Sequence, residues 1–338
     1  AQPPPSNRSA TQTVGLASVW NMSISVGDNM LFAVPKKGRL YSRVLSILDA
    51  VGLVYRRANR LDIANCSNMP ISLVFLPAKD IAYYVGEGQV DLGITGEDII
   101  AEADVKVNSL LKLGIGKCRL CVQGPKGKFK KADELAGKRI VTSFPRLAKN
   151  FFSKFDKKLG TTTSIKYVSG SVEAAIGLGL ADGIVDLVET GTTMEAAGLE
   201  VVEDVMKSET VLISNPKNKH PELVSSIYKR IQGFIVAKNQ CMISYNIPKK
   251  KLKNALDITP GHESPTVTDL SDPAWCAVSA LIKRKNAQNI FDSLEAVGAK
   301  SILTFAIDNC RFPCDFQRSL SGHLNGVLTD SKSPPKTP

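Results

Sequence analysis

The sequence predicts an α/β protein of two similar lobes facing each other across a cleft, followed by a ferredoxin-like β-α-β-β-α-β unit. Three observations carry this. From residue 30 to about 213, short apolar runs alternate with segments whose apolar residues recur at helical spacing. Roughly 200 residues of that rhythm suit two lobes rather than one sheet. After a long helical pattern at 222–238 the rhythm changes to strand, helix, strand, strand, helix, strand, the split ferredoxin-like order.

In chain order, residues 31–34 form a short buried strand and Lys36-Lys37-Gly38-Arg39 a turn. Apolar residues at helical spacing over 40–51 predict a helix that stops at Gly52. Strands at 72–76 and 90–94 flank a helix at 80–85. A strand at 117–123 opens the second lobe, and strands at 139–142, 165–168 and 183–188 continue it, with helices near 147–158 and 172–180. The strands of both lobes are expected to be mostly parallel. A strand at 210–213 returns to the first lobe, and the helix at 222–238 leads out of the pair. The last unit reads as a strand at 241–247, a helix from Pro248 through Leu256, strands at 266–270 and 275–282, a helix at 287–297 closed by Gly298, and a strand at 301–307. The expected domains are therefore 30–116 (completed by about 203–232), 117–202 and 233–312. Unstructured ends at 1–29 and 313–338 are expected from their Ser- and Pro-rich composition.

Composition narrows the function. No apolar run among the 338 residues is long enough to span a bilayer, and the start lacks a basic cluster followed by an apolar core, so a cytoplasmic location is expected, without a membrane partner. Seven cysteines, an odd number, argue against a disulfide scaffold. Cys118-x2-Cys121 and Cys310-x3-Cys314 have no histidine near them, so reduced thiols are expected rather than zinc. The net charge of +11 calls for anionic partners. With 6% aromatics and no zinc-finger or RNA-binding signature, small anionic substrates are expected rather than nucleic acid.

The most informative stretch is 184–193. An apolar strand carries Asp186, then runs into Glu189-Thr190-Gly191-Thr192-Thr193, with a helix expected from Met194. A helix start offers unpaired N–H groups to a phosphate, Gly191 lets the backbone come close, and the threonine hydroxyls add donors. Carboxylates beside such a cradle suit sugar hydroxyls or magnesium. The ligand this predicts is a phosphorylated ribose such as phosphoribosyl diphosphate. An ordinary strand–turn–helix with a threonine cap fits the same stretch. Lys37 and Arg39 follow the first strand, where loops line the crevice of an open sheet, and suit a diphosphate. Arg60 is a second clamp; solvated surface charge is the alternative for all three. The Asp91-Leu92-Gly93-Ile94-Thr95-Gly96 block brings backbone near a ligand or makes a tight turn. Ser171 and Glu173, in a Gly-Ser turn before a helix, repeat the theme, with Ser171 expected to cap the helix.

Taken in order, Lys-Lys-Gly-Arg, Asp-Leu-Gly-Ile-Thr-Gly, Thr142-Ser143-Phe144-Pro145, Gly-Ser-Val-Glu and Asp-Leu-Val-Glu-Thr-Gly-Thr-Thr resemble the ATP phosphoribosyltransferase family. The segments 259–266 (Thr-Pro-Gly-His-Glu-Ser-Pro-Thr) and 298–303 (Gly-Ala-Lys-Ser-Ile-Leu) resemble the regulatory domain of its long form. The resemblance covers about residues 30 to 312. It implies a periplasmic-binding-protein-like catalytic core and the first step of histidine biosynthesis. ATP and phosphoribosyl diphosphate are the implied substrates, with Mg2+ carried mainly by their phosphates. Histidine is the implied inhibitor, and a homo-oligomer from dimer to hexamer the implied assembly. It assigns Ser171, Glu173, Asp186, Glu189, Thr190, Gly191, Thr192 and Thr193 to substrate, and Arg39, Arg60 and Lys37 to the departing pyrophosphate. Asn246, His262, Ser264, Thr266, Leu281 and Ser301 fall in the inhibitor pocket. Relatives usually stop near Asn309-Cys310-Arg311. A ring nitrogen of adenine carries its own lone pair, so the lack of a His/Asp dyad is expected. The rival from another class is a two-lobed binder of small anions without catalysis.

Overall fold

The structure, a computed structural model, describes residues 27–58 and 61–311. The expectations for the ends at 1–26 and 313–338, and for Arg60, lie outside the described residues.

In the first lobe, β1 (Met30–Pro35) is apolar throughout because both faces of its sheet are covered. Phe32 and Val34 pack under α1 (Tyr41–Ala50), which turns Val44, Ile47 and Leu48 inward at helical spacing. Next come β2 (Ile63–Asn65), β3 (Ile71–Leu76), α2 (Ala78–Gly86), β4 (Leu92–Gly96), α3 (Glu97–Ala103) and β5 (Asn108–Lys112). Gly93 admits no side chain: a Cβ there would lie 2.8 Å from Ile81 and 2.9 Å from Val85, so glycine lets α2 seat on β4.

The chain then crosses to the second lobe. It makes β6 (Cys118–Pro125), β7 (Arg139–Thr142), α4 (Pro145–Leu159), β8 (Ser164–Tyr167), α5 (Ala174–Gly177), β9 (Gly183–Val188), α6 (Thr192–Ala196) and β10 (Leu199–Ser208). It crosses back as β11 (Thr210–Ser214) and α7 (Pro221–Asn239). The first sheet has the order β2-β3-β1-β4-β11-β5 and the second β10-β6-β9-β7-β8. Among the described residues, parallel pairing in the two lobes is confined to β1 with β3 and β4, and to β7 with β8 and β9. Both sheets are therefore mixed, which corrects the expectation of mostly parallel strands. Strands at the crossings between lobes run antiparallel to their neighbours: β6 and β10 pair with each other, and β11 lies between β4 and β5. Because β10 pairs with β6, the second lobe runs through Ser208, and α7 continues unbroken to Asn239. Both pass the boundaries at 202 and 232 read from the sequence.

The last unit is β12 (Gln240–Pro248), α8 (Leu252–Ile258), β13 (Thr266–Asp269), β14 (Trp275–Lys283), α9 (Ala287–Ala296) and β15 (Lys300–Phe305), an antiparallel sheet of order β13-β14-β12-β15. This is the expected ferredoxin-like fold. The strict alternation of β12 and β14 turns Ile243, Tyr245, Val278 and Ala280 toward the helices. Met242, Ser244, Ser279 and Leu281 are left on the open face. Among the described residues no helix is long and apolar enough to cross a membrane. Described cysteines 66, 118, 121, 241, 276 and 310 are all free thiols.

Candidate active site

The site lies where the tips of the two lobes meet. Arg39, in the turn after β1, reaches across: its Nη1 donates to Oε2 of Glu189 at 3.0 Å and its Nη2 to Sγ of Cys118 at 3.1 Å. Arg43, in the first turn of α1, donates to the other oxygen of Glu189 at 3.5 Å. Burial works to lower the guanidinium pKa of Arg39. The Cys118 contact and the charges of Glu189 and Asp98 outweigh it, so the pKa sits above the usual arginine value.

Beneath this arginine lies a cavity of about 200 Å³ lined by Lys37, Arg39, Asp98, Leu187 and Thr210 among others. Asp98 is buried, and Ser208 serves it twice, accepting from its N–H at 3.1 Å and donating to Oδ1 at 2.5 Å. The buried Thr210 hydroxyl has no hydrogen-bond partner among the described residues. A second cavity of about 590 Å³ also touches Lys37 and is walled by Lys79 and Glu102 from the first lobe and Ser143, Tyr167 and Ser169 from the second.

Further contacts close the cleft. Lys79 donates to the Tyr167 hydroxyl at 3.1 Å and holds that phenol below its usual pKa. Arg146 pairs with Asp104. Glu102 accepts the N–H groups of Arg146 and Leu147, at 2.9 Å each, one on each carboxylate oxygen. Pro145 opens α4 and has no N–H to give, so a carboxylate from the other lobe does the capping. Glu102→Ala is expected to cost about 1 kcal/mol, the ordinary worth of a helix cap. Faster hydrogen exchange in the first turn of α4 would report it, and unchanged exchange would count against the cap.

The predicted phosphate loop follows β9. Asp186 accepts the Leu187 N–H at 2.8 Å. Burial, reinforced by the charge of Glu173 and opposed by Arg39, pushes the Asp186 carboxyl above its usual pKa. Gly191, at φ +86°, is the residue that caps α6, with no side-chain bond. The threonine-cap alternative is thus not what forms; the Thr190 and Thr192 hydroxyls bond each other at 3.0 Å. Ser171 does not cap either. It sits at φ +48° before Glu173, which is the cap position of α5 and also lacks a side-chain bond. A left-handed backbone at Ser171 turns the chain too early for its hydroxyl to meet the helix start.

In the last unit, Asn246, Thr266 and Leu281 lie on the open sheet face, Ser301 is the second residue of the edge strand β15, and His262 and Ser264 sit in the loop before β13. Asn246 is opposite Ala277 while Leu281 is opposite Met242. That separates the two by four register positions, roughly 13 Å.

Sequence reasoning missed Arg43, Asp98, Glu102 and the Cys118–Arg39 contact. Arg43 had a weak signal, a basic residue in the first turn of the helix that follows the Lys-Lys-Gly-Arg turn. The others are long-range contacts with none.

The family model for ATP phosphoribosyltransferase matches residues 77–233, and the model for the HisG C-terminal domain matches 237–309. ATP phosphoribosyltransferase of Yarrowia lipolytica is 48% identical over 290 residues, 85% of this chain and 98% of that protein. The Saccharomyces cerevisiae enzyme of the same name is 46% identical, covering 84% and 97%. The ATP phosphoribosyl transferase (HisG:HisZ) complex from Thermotoga maritima contains a chain that superposes with a TM-score of 0.54 at 27% identity, covering 62% of this chain and 98% of that one. Matched in both its catalytic and C-terminal parts and along nearly the whole length of these relatives, the chain belongs to the ATP phosphoribosyltransferase family of histidine biosynthesis, in its long form.

Proposed function

We propose that the cleft transfers the phosphoribosyl group of phosphoribosyl diphosphate to a ring nitrogen of ATP, releasing pyrophosphate. One observation carries this: a guanidinium from the first lobe lies against Glu189 of the phosphate loop on the second. A fixed cation there suits charge that develops as pyrophosphate departs. The nitrogen–carbon bond forms at the anomeric carbon as the carbon–oxygen bond to pyrophosphate breaks, and the electron pair leaves with that oxygen. Asp186, Glu173 and the 190–193 turn would hold the ribose and its 5′-phosphate. Lys37 and Arg39, with Arg60, would take the diphosphate. Holding two anionic substrates in one closed cleft supplies much of the remaining rate.

Magnesium carried in on the substrate phosphates would suit this site. The charge of Glu173 adds to burial in disfavouring the ionised Asp186 carboxyl, which a cation would relieve. Asp186 and Glu173 would be the carboxylates available to hold an ion that neutralises charge on the diphosphate. Histidine would inhibit through the C-terminal domain, at Asn246, His262, Ser264, Thr266, Leu281 and Ser301. Free thiols at the described cysteines suit a cytoplasmic enzyme. Exposed Leu303 and Phe305 on the last strand suit assembly into a homo-oligomer.

The test is incubation with ATP, phosphoribosyl diphosphate and magnesium, followed by product absorbance in the ultraviolet, with and without histidine. Product that falls with histidine supports both readings. Product indifferent to histidine keeps the transfer and removes the inhibition. Binding of either substrate without product would leave a non-catalytic anion binder.

A further inference from the structure

We propose that Cys118 is a positioning residue for phosphoribosyl transfer, its sulfur holding Nη2 of Arg39 so that the guanidinium faces the cleft. This rests on the role given to Arg39 above.

Arg39 belongs to a turn and must reach the other lobe to act. Its two terminal nitrogens are held by different residues there, Nη1 by Glu189 and Nη2 by Cys118. These two holders are neighbours, because β6 and β9 pair with Arg119 opposite Val188. Two contacts on separate nitrogens fix the plane of a guanidinium, whereas one leaves it free to swivel.

The two holds differ in kind. Glu189 is shared with Arg43, and its side chain is 33% exposed. Water and salt weaken such a pair, and an arriving diphosphate competes for the same arginine. Cys118 is 7% exposed and sits in a sheet strand, so its sulfur keeps its place when Glu189 lets go. A thiol is also a weak acceptor. It orients the arginine without cancelling the positive charge that a departing pyrophosphate needs, as a second carboxylate would. Cys121, three residues along the same strand, is a natural control: its sulfur bonds Oδ1 of Asp204 at 3.3 Å instead.

The experiment uses the full chain with Cys118→Val, which fills the space but accepts no hydrogen bond, Cys118→Ser, which keeps an acceptor, Cys121→Ala, and Arg39→Ala alone and combined with Cys118→Val. Cys118→Val is expected to lower kcat about tenfold, with KM for each substrate within about twofold of the parent. Cys118→Ser should recover most of the loss, and Cys121→Ala should match the parent. In the Arg39→Ala background, Cys118→Val should add no further loss, because the residue it positions is gone. If valine at 118 prevents folding, Cys118→Ala, which also lacks the sulfur acceptor, carries the same cycle. Any kcat loss it shows should vanish in the Arg39→Ala background, and equal loss in both backgrounds overturns the inference. Parent-level kcat in Cys118→Val, or an equal loss with and without Arg39, overturns the inference while Arg39 keeps its role. Parent-level kcat in Arg39→Ala overturns both.

Discussion

Arg39→Ala is expected to lower turnover by about 10²- to 10³-fold, the usual cost of removing one donor aimed at developing charge. KM for phosphoribosyl diphosphate should change far less. The ground-state diphosphate still has Lys37 beside the same cavities, so binding survives better than the step in which charge builds up. Arg39→Lys should recover little, since an ammonium offers one point of charge where the guanidinium spans from Glu189 to Cys118. Steady-state kinetics with both substrates varied will separate kcat from KM. A normal kcat with raised KM would make Arg39 a binding residue only.

Asp186→Asn is expected to weaken catalysis and strengthen the fold at once. Losing a hydrogen bond to a charged group, about 1.5–3 kcal/mol, predicts a fall of roughly 10- to 100-fold in kcat/KM. The effect on stability follows from the sign of the shift. Burial and Glu173 raise the carboxyl pKa above its unfolded value, so the folded chain holds the proton more tightly than the unfolded chain does. As pH rises from the unfolded value through the raised folded one, the native state loses stability. At neutral pH ionised Asp186 is therefore a net cost, which asparagine removes. The same shift moves the acid limb of kcat/KM to a higher pH than an ordinary carboxylate would set. Thermal unfolding at pH 7 and a pH–rate profile check the two halves separately. A variant melting below the parent would mean that the Leu187 N–H and Arg39 stabilise the carboxylate by more than its burial costs.

Much of the fold is legible because its central strands are continuous apolar runs. β1 and β9 announce themselves this way, and α1 and α7 by helical spacing. Three missed strands, β2, β5 and β10, share one property: each lies at the edge of its sheet. An edge strand is covered less completely, so its residues need not be apolar. β10 reads Leu-Glu-Val-Val-Glu-Asp-Val-Met-Lys-Ser, and its two register shifts against β6 break the alternation that would have marked it. α3 has seven residues, too few to display a period. The candidate site was legible only where its residues share a local turn, as at 36–39 and 186–193. Glu102 on the first turn of α4, and Cys118 on Arg39, join residues 44 to 79 positions apart. Such pairs have no local spacing to betray them.

The place of β11, pinned between β4 and β5, bears on how the chain is made. A ribosome delivers β5 long before β11, and among the described residues β5 has no neighbour in its sheet other than that late strand. The ~100 residues between Lys112 and Thr210 take roughly 5–20 s to synthesise at usual rates. During that interval the nascent first lobe carries an open flank at β4, while the second lobe, contiguous in sequence, can fold beside it. The strand that closes the sheet arrives after the domain it was waiting for. Assembly of the nascent enzyme is therefore ordered from the inside of the sequence outward, and the unfinished flank is the surface that a chaperone would need to shield.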